Sequence, residues 1–195
     1  MTKRLRSTST ADNVFSARDT HSLMSETAQH YLGGLLEHAA AGLLFSNPTV
    51  NGYKRLNANP LAPNRVLWSH DNRGAMLRLV GAWGDSGTRI ENRTGEPCAN
   101  PYLYMASQIH AGLDGLARKL DPGPPVQDNP SEPTDKPRLP ASLMEAVDAL
   151  DGSTTLRAAL GDVFVDYFLT LKRAEIGRFL AHVTDWEHQE YFEMY

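Results

Sequence analysis

From Ser25 onward the apolar residues Ala28, Tyr31, Leu32, Leu35, Leu36 and Ala39 recur at three- and four-residue spacing, which puts them on one face of a helix. Ser25-Glu26-Thr27 ahead of them supplies a cap for the first turn, so the spacing predicts a helix over about residues 25–43. Asn47-Pro48-Thr49 ends it, because proline disfavours the helical conformation of the residue before it. Short runs at residues 53–56, 64–69, 75–80 and 88–92 read as strands separated by turns rich in Pro, Asn and Gly. Asn100-Pro101 opens a second long helix, since proline is tolerated in a first turn, and Leu103, Met105, Ala106, Ile109, Leu113 and Leu116 carry it to about residue 120.

Six prolines lie between Asp121 and Pro140 among many polar residues, too few apolar groups to offset the entropy of ordering, so this stretch is predicted to be a surface loop. Beyond it come helical patterns at residues 142–150, 154–160 and 162–183, then a last short helix capped by Asp185. Phe164, Tyr167, Phe168, Phe179, Trp186, Tyr191 and Phe192 are spaced as an apolar face, and core or interface packing explains them better than a cofactor box. No internal repeat is present.

Composition narrows the classes. The 195 residues suit one ordinary domain, and a formal net charge of −4 with both signs interspersed leaves no basic face for a nucleic acid. The single cysteine, Cys98, can form no internal disulfide, which fits a reducing cytoplasm. Residues 1–6 are basic, but residues 7–13 are polar where a signal peptide needs about 7–15 apolar residues. No stretch approaches the ~20 apolar residues that span a bilayer, so no membrane role is expected.

Arginines concentrate in the middle of the chain, at Arg55, Arg65, Arg73, Arg78, Arg89 and Arg93. A planar guanidinium grips carboxylate or phosphate with two parallel donors, so convergent arginines suit an anionic substrate. Side chains alternate along a strand, so Arg89, Glu91 and Arg93 share one face, where a carboxylate can hold a divalent cation beside bound phosphate. From spacing alone a solvated face laced with weak ion pairs explains the same residues. The seven histidines show no metal-ligand spacing, Cys98 has no evident base partner, and Asn47 and Asn51 read as turn residues that could also touch substrate.

The order of short motifs adds a further reading. Ser25-Glu26-Thr27 is followed by Asn47-Pro48-Thr49-Val50-Asn51-Gly52-Tyr53-Lys54-Arg55-Leu56, then Asp71-Asn72-Arg73, Arg89-Ile90-Glu91-Asn92-Arg93, Ala99-Asn100-Pro101-Tyr102-Leu103 and Ala111-Gly112-Leu113-Asp114-Gly115. In that order they resemble successive motifs of the glutamine synthetase family, ATP-dependent ligases that join the γ-carboxyl of glutamate to an amine. The resemblance covers about residues 12–195, leaving residues 1–11 as an unmatched tail. It implies an α+β fold: a partial glutamine synthetase catalytic domain, with antiparallel strands packed against helices and a helical C-terminal region. It places Arg55 on the carboxylate side of glutamate, and Arg73 and Arg78 on nucleotide phosphate or the γ-glutamyl phosphate. Arg89 would face the nucleotide, Glu91 would ligate one of two Mg²⁺ or Mn²⁺ ions, and Arg93, like Arg73, would stabilise the transferring phosphoryl group. The implied substrates are ATP, glutamate and ammonia or an organic amine, and family members assemble as double-ring homo-oligomers.

The chain also departs from the family. The N-terminal β-grasp domain and the earlier half of the catalytic domain, with the other metal glutamates, a metal-binding histidine and the ammonium-binding aspartate, have no counterpart in the 195 residues. Residues 1–10 do not resemble the histidine-bearing strand expected before Asp12, which implies a truncated or shifted reading frame. Residues 121–140 contain no tyrosine to match a regulatory adenylylation site. In ammonia-using members a flap glutamate before an Ala-Pro pair follows the Arg55 motif; here that position is Leu61, which cannot accept a proton and could line an apolar acceptor pocket. Two readings result: a glutamate–amine ligase of this family, or a non-catalytic fragment that interacts with rings of an intact paralogue.

Overall fold

The computed structural model describes residues 1–10, 12–58, 62–127 and 135–194. Helix α1 (Glu26–Glu37) starts where the Ser25 hydroxyl accepts from the Ala28 amide at 3.1 Å, as its polar lead-in predicts. The single helix expected over residues 25–43 is two helices, because the chain bends at His38 (φ −98°, ψ 15°) before α2 (Ala39–Ser46). His38 Nε2 lies 2.7 Å from Asp114 Oδ2 on α4 (Pro101–Arg118), a tertiary tie at the bend. Helix α2 buries seven of its eight residues, with Leu43, Leu44 and Phe45 in the core.

Helices α1 and α4 cross at glycines. A Cβ on Gly34 would stand 2.0 Å from the Ala111 carbonyl oxygen, and one on Gly115 would stand 2.2 Å from the His30 carbonyl oxygen, so the two backbones touch directly. Tyr31 lies over Gly112 and donates its hydroxyl to the Gln108 carbonyl at 3.0 Å. Asn100 caps α4, its Oδ1 accepting from the amides of Tyr102 (3.0 Å) and Leu103 (3.3 Å).

The strand expected at residues 53–56 is instead helix α3 (Val50–Ala58). Its apolar residues Val50, Tyr53 and Leu56 are three apart, a helical spacing that the short run concealed. The other expected strands are present in shorter form: β2 (Trp68–His70), β3 (Leu77–Val80) and β4 (Arg89–Asn92). A further edge strand, β1 (Thr2–Lys3), lies in what the sequence reads as an unmatched tail. The sheet order is β1-β4-β3-β2, with antiparallel pairs at β1/β4 and β3/β4 and a parallel pair at β2/β3. Leu77, Leu79 and Ile90 fill one face, each fully buried and worth about 1.5–3 kcal/mol, while Arg78, Arg89 and Glu91 occupy the other.

The described ends of the proline-rich stretch run beside β2: the Val126 amide donates to the Trp68 carbonyl at 2.9 Å, and the Val66 amide donates to the Pro137 carbonyl at 2.8 Å. The helical region then contains α5 (Leu143–Asp151), α6 (Thr154–Leu160), α7 (Asp162–Leu180) and α8 (Asp185–Tyr191). Thr184, not Asp185, caps α8, in a reciprocal pair with Glu187. Of the aromatic set, Phe168 stacks on Phe45 of α2 at 5.3 Å and Phe164 on Phe168 at 6.0 Å. Tyr167, Trp186, Tyr191 and Phe192 face solvent instead.

Replacing Gly34 with alanine is expected to lower the unfolding free energy by about 1–3 kcal/mol or more, since backbone, not a movable side chain, blocks the new methyl. Gly152→Ala, which would meet its nearest atom at 3.6 Å, is expected to change it by less than about 0.5 kcal/mol. Urea unfolding of both variants measures the contrast.

Candidate functional site

The arginine face is built by register. Residue 78 of β3 pairs with residue 91 of β4, which brings Arg78 Nη1 to 3.2 Å from Glu91 Oε2. Two residues back on β4, Arg89 Nε lies 3.1 Å from Glu91 Oε1, so one carboxylate holds two guanidiniums. The other terminal nitrogen of Arg78 is paired with Asp71. Asp71 sits just after β2 with a φ of 49°, a left-handed conformation that aspartate tolerates better than most residues. This bond is the main reason the Asp71 carboxyl is held below its ordinary range. Arg93 Nε donates to the backbone carbonyl of Arg73 at 2.7 Å, tying the end of β4 to the turn after β2.

Arg78 and Arg89 thus meet on Glu91, on the face that strand alternation gives to residues 89, 91 and 93, and Arg93 is joined to the backbone of Arg73 at its end. The guanidiniums of Arg78, Arg89 and Arg93, with Arg73 near enough to Asp71 to help lower its carboxyl, outnumber the carboxylates of Asp71 and Glu91 and leave positive charge in excess. Such an excess attracts a phosphate-bearing anion. Asp71 opens the Asp71-Asn72-Arg73 motif, and its neighbour Asn72 closes an Asx turn onto Gly74 at 2.9 Å, the local signal of a shaped turn.

Arg55 stands apart from this row, on α3. Its Nη2 donates to Thr94 O (2.7 Å), Asn47 Oδ1 (3.1 Å) and Gly95 O (3.5 Å), and its buried Nε has no hydrogen-bond partner. Asn47, read from sequence as a turn residue, is fully buried and donates to Thr94 O at 2.8 Å. The Thr94 amide and hydroxyl bond Asn92 Oδ1 at 3.0 and 2.8 Å, and Asn92 Nδ2 donates to Gln108 Oε1 at 2.8 Å. Lys3 of β1 completes the network on Gln108, and burial pulls its amine from the ordinary 10.5 down to about 7. Sequence reading missed Lys3, Gln108 and Thr94, whose polarity gives no sign of burial.

A family profile described as the glutamine synthetase catalytic domain matches residues 6–191. The chain belongs to the glutamine synthetase family. The γ-glutamylanilide synthase of Acinetobacter sp is 46% identical over 184 residues, covering 88% of this chain and 36% of that protein. The glutamine synthetase of Methanosarcina mazei is 40% identical over 189 residues, covering 93% of this chain and 42% of that protein. Among solved structures, GmaS without ligand superposes with a TM-score of 0.84 at 35% identity, covering 94% of this chain and 42% of the GmaS chain. The chain therefore spans less than half the length of these glutamine synthetase relatives.

For a member of this family the fit to a divalent ion is incomplete. Both oxygens of Glu91 accept from arginines, and among the described residues no three His, Cys, Asp or Glu side chains gather where they could hold a metal. Opposite Glu91 on β1 is Thr2, whose hydroxyl is a poor substitute for a carboxylate or imidazole. Leu61, assigned to an acceptor pocket, lies outside the described residues.

Lys3 gives a pH test of the network beneath the site. Its amine loses its proton more readily when folded than when unfolded, so between about pH 7 and 10 the unfolded chain binds more protons and stability rises with pH. Urea unfolding is expected to show higher stability at pH 9.5 than at pH 7, and Lys3→Met is expected to remove most of that rise.

Proposed function

We propose that this chain carries the phosphate-directed part of an ATP-dependent glutamate–amine ligase site. The observation that carries the reading is the row of Arg78, Arg89 and Arg93 beside Arg73, with excess positive charge on one side of the sheet. In the proposed reaction a γ-carboxylate oxygen of glutamate attacks the γ-phosphorus of ATP and ADP leaves. The amine then attacks the acyl carbon of the γ-glutamyl phosphate, phosphate departs and the nitrogen loses a proton. Both steps spread negative charge over phosphoryl oxygens, and cations already aimed there stabilise it without rearrangement.

Within this reading Arg73 and Arg93 contact the transferring phosphoryl group, Arg73, Arg78 and Arg89 hold the nucleotide phosphates, and Arg55 meets the glutamate carboxylate. Glu91 is offered as a single ligand toward Mg²⁺ or Mn²⁺, which would neutralise phosphate charge when bound. A solved GmaS/ADP complex, 34% identical with a TM-score of 0.83, supports a nucleotide in this branch. The acceptor is proposed to be an organic amine instead of ammonia, supported by Leu61 at the flap position and by the γ-glutamylanilide synthase relative. Double-ring assembly follows the family and suits the exposed aromatics of α7 and α8. A cytoplasmic setting is in keeping with the lone cysteine and with the absence, among the described residues, of any helix able to cross a membrane.

Calorimetric titration with ADP is the direct test. Arg89→Ala and Arg93→Ala are each expected to weaken binding about 10- to 100-fold, the worth of a charge-assisted hydrogen bond, with little change in melting temperature. The chain alone, with one metal-directed carboxylate, is expected to form no γ-glutamyl hydroxamate from ATP, Mg²⁺, glutamate and hydroxylamine. In an assembly that does turn over, product mass should show a preference for aryl or alkyl amines above ammonia. No ADP binding together with capture into rings of a relative would favour the non-catalytic reading.

A further inference from the structure

The segment that follows β4 grips helix α3 at two points. Glu96 donates its amide to the carbonyl of Ser46, the last residue of α2, at 2.9 Å. Its carboxylate accepts from the Thr49 amide at 3.0 Å and from the Thr49 hydroxyl at 2.9 and 3.0 Å, and that hydroxyl caps α3 by accepting from the Gly52 amide at 3.2 Å. An anion there is also favoured by the helix dipole. Gly52 makes the approach possible: a Cβ at that position would stand 2.6 Å from Glu96 Oε2 and 2.8 Å from its Cδ. Further along α3, Arg55 reaches back through Nη2 to the carbonyls of Thr94 and Gly95. Three consecutive residues therefore hold the helix by its first turn and by its arginine, and they directly follow Arg93.

We infer that Glu96 is a positioning residue for Arg55, fixing where that guanidinium stands relative to the arginine row of β4. The inference rests on the reading of Arg55 as a substrate contact only for its consequence, not for its geometry. A carboxylate at 96 settles the height and rotation of α3, and Arg55 Nη2 then meets Thr94 O at hydrogen-bond distance. Loss of this brace on the Thr49 cap frees the first turn to shift, and Arg55 loses its fixed partners while Arg78, Arg89 and Arg93, held by β3, β4 and the turn after β2, keep theirs.

The test uses the full chain and nitrogen-15 NMR of arginine side chains, with Arg55 assigned by its disappearance in Arg55→Lys. The wild-type chain is expected to show distinct, slowly exchanging Arg55 Nη signals. Glu96→Ala should collapse them into an averaged signal, and Glu96→Gln, which keeps an acceptor for the Thr49 amide, should retain them. Pyrophosphate affinity, which reports on the β4 row, should stay within about twofold in Glu96→Ala, and glutamate affinity should fall about tenfold. Should Glu96→Ala not fold, Gly52→Ala displaces the same carboxylate and should give the same Arg55 signature. Unchanged Arg55 signals in the folded variant would overturn the inference, as would an equal loss of pyrophosphate affinity, which would mean general collapse. If the signals respond but Arg55→Lys leaves glutamate affinity untouched, the substrate role of Arg55 fails and the positioning role stands.

Discussion

The side chain of Asn92 is buried where a strand, a helix and a turn meet, and its amide must be satisfied at both ends. Its nitrogen donates to Gln108 of α4 and its oxygen accepts twice from Thr94. Thr94 passes the constraint on to Asn47 and Arg55 through its carbonyl, and Gln108 passes it to Lys3 on the edge strand. An unsatisfied buried polar group costs about 1–3 kcal/mol, so no member can move alone. The network fixes α3, α4 and β1 against β4, and the functional row rides on the same strand.

The division of β4 into two faces follows from this. Ile90 and Asn92 point inward, one into the apolar core and one into the polar network, and both are nearly inaccessible. Arg89, Glu91 and Arg93 point outward and are only partly buried. A single carboxylate between Arg78 and Arg89 keeps two cations close that would otherwise repel each other. It holds them in place without cancelling the row's net charge, since Arg93 donates to a backbone carbonyl and not to a carboxylate.

The C-terminal helices obey a different logic. Helices α5 and α7 reach the core through Leu143, Val147, Leu150, Val165 and Leu169. Helix α8 buries no residue and is held by its capping box and by local contacts such as Trp186 against Tyr191 at 6.0 Å. A short helix gains little from propensity alone, so its exposed aromatics leave apolar surface that this single chain does not cover.

Helix existence was legible where apolar spacing and a start signal coincided, as at Ser25 and Asn100, because both signals act within a few residues. The shared face of Arg89, Glu91 and Arg93 was legible for the same reason, since strand alternation needs no tertiary knowledge. Helix α3 was not: its local cap, Thr49, follows a proline that reads as a break, and the Glu96 carboxylate that braces Thr49 lies more than forty positions away. The bend at His38 likewise depends on Asp114 of another helix. Sequence alone determined the family, the helices with a sustained apolar period and the side chains that share a strand face. Tertiary structure decided what Arg55 bonds, which polar residues are buried and how α3 is held, because each of those depends on groups brought together only by folding.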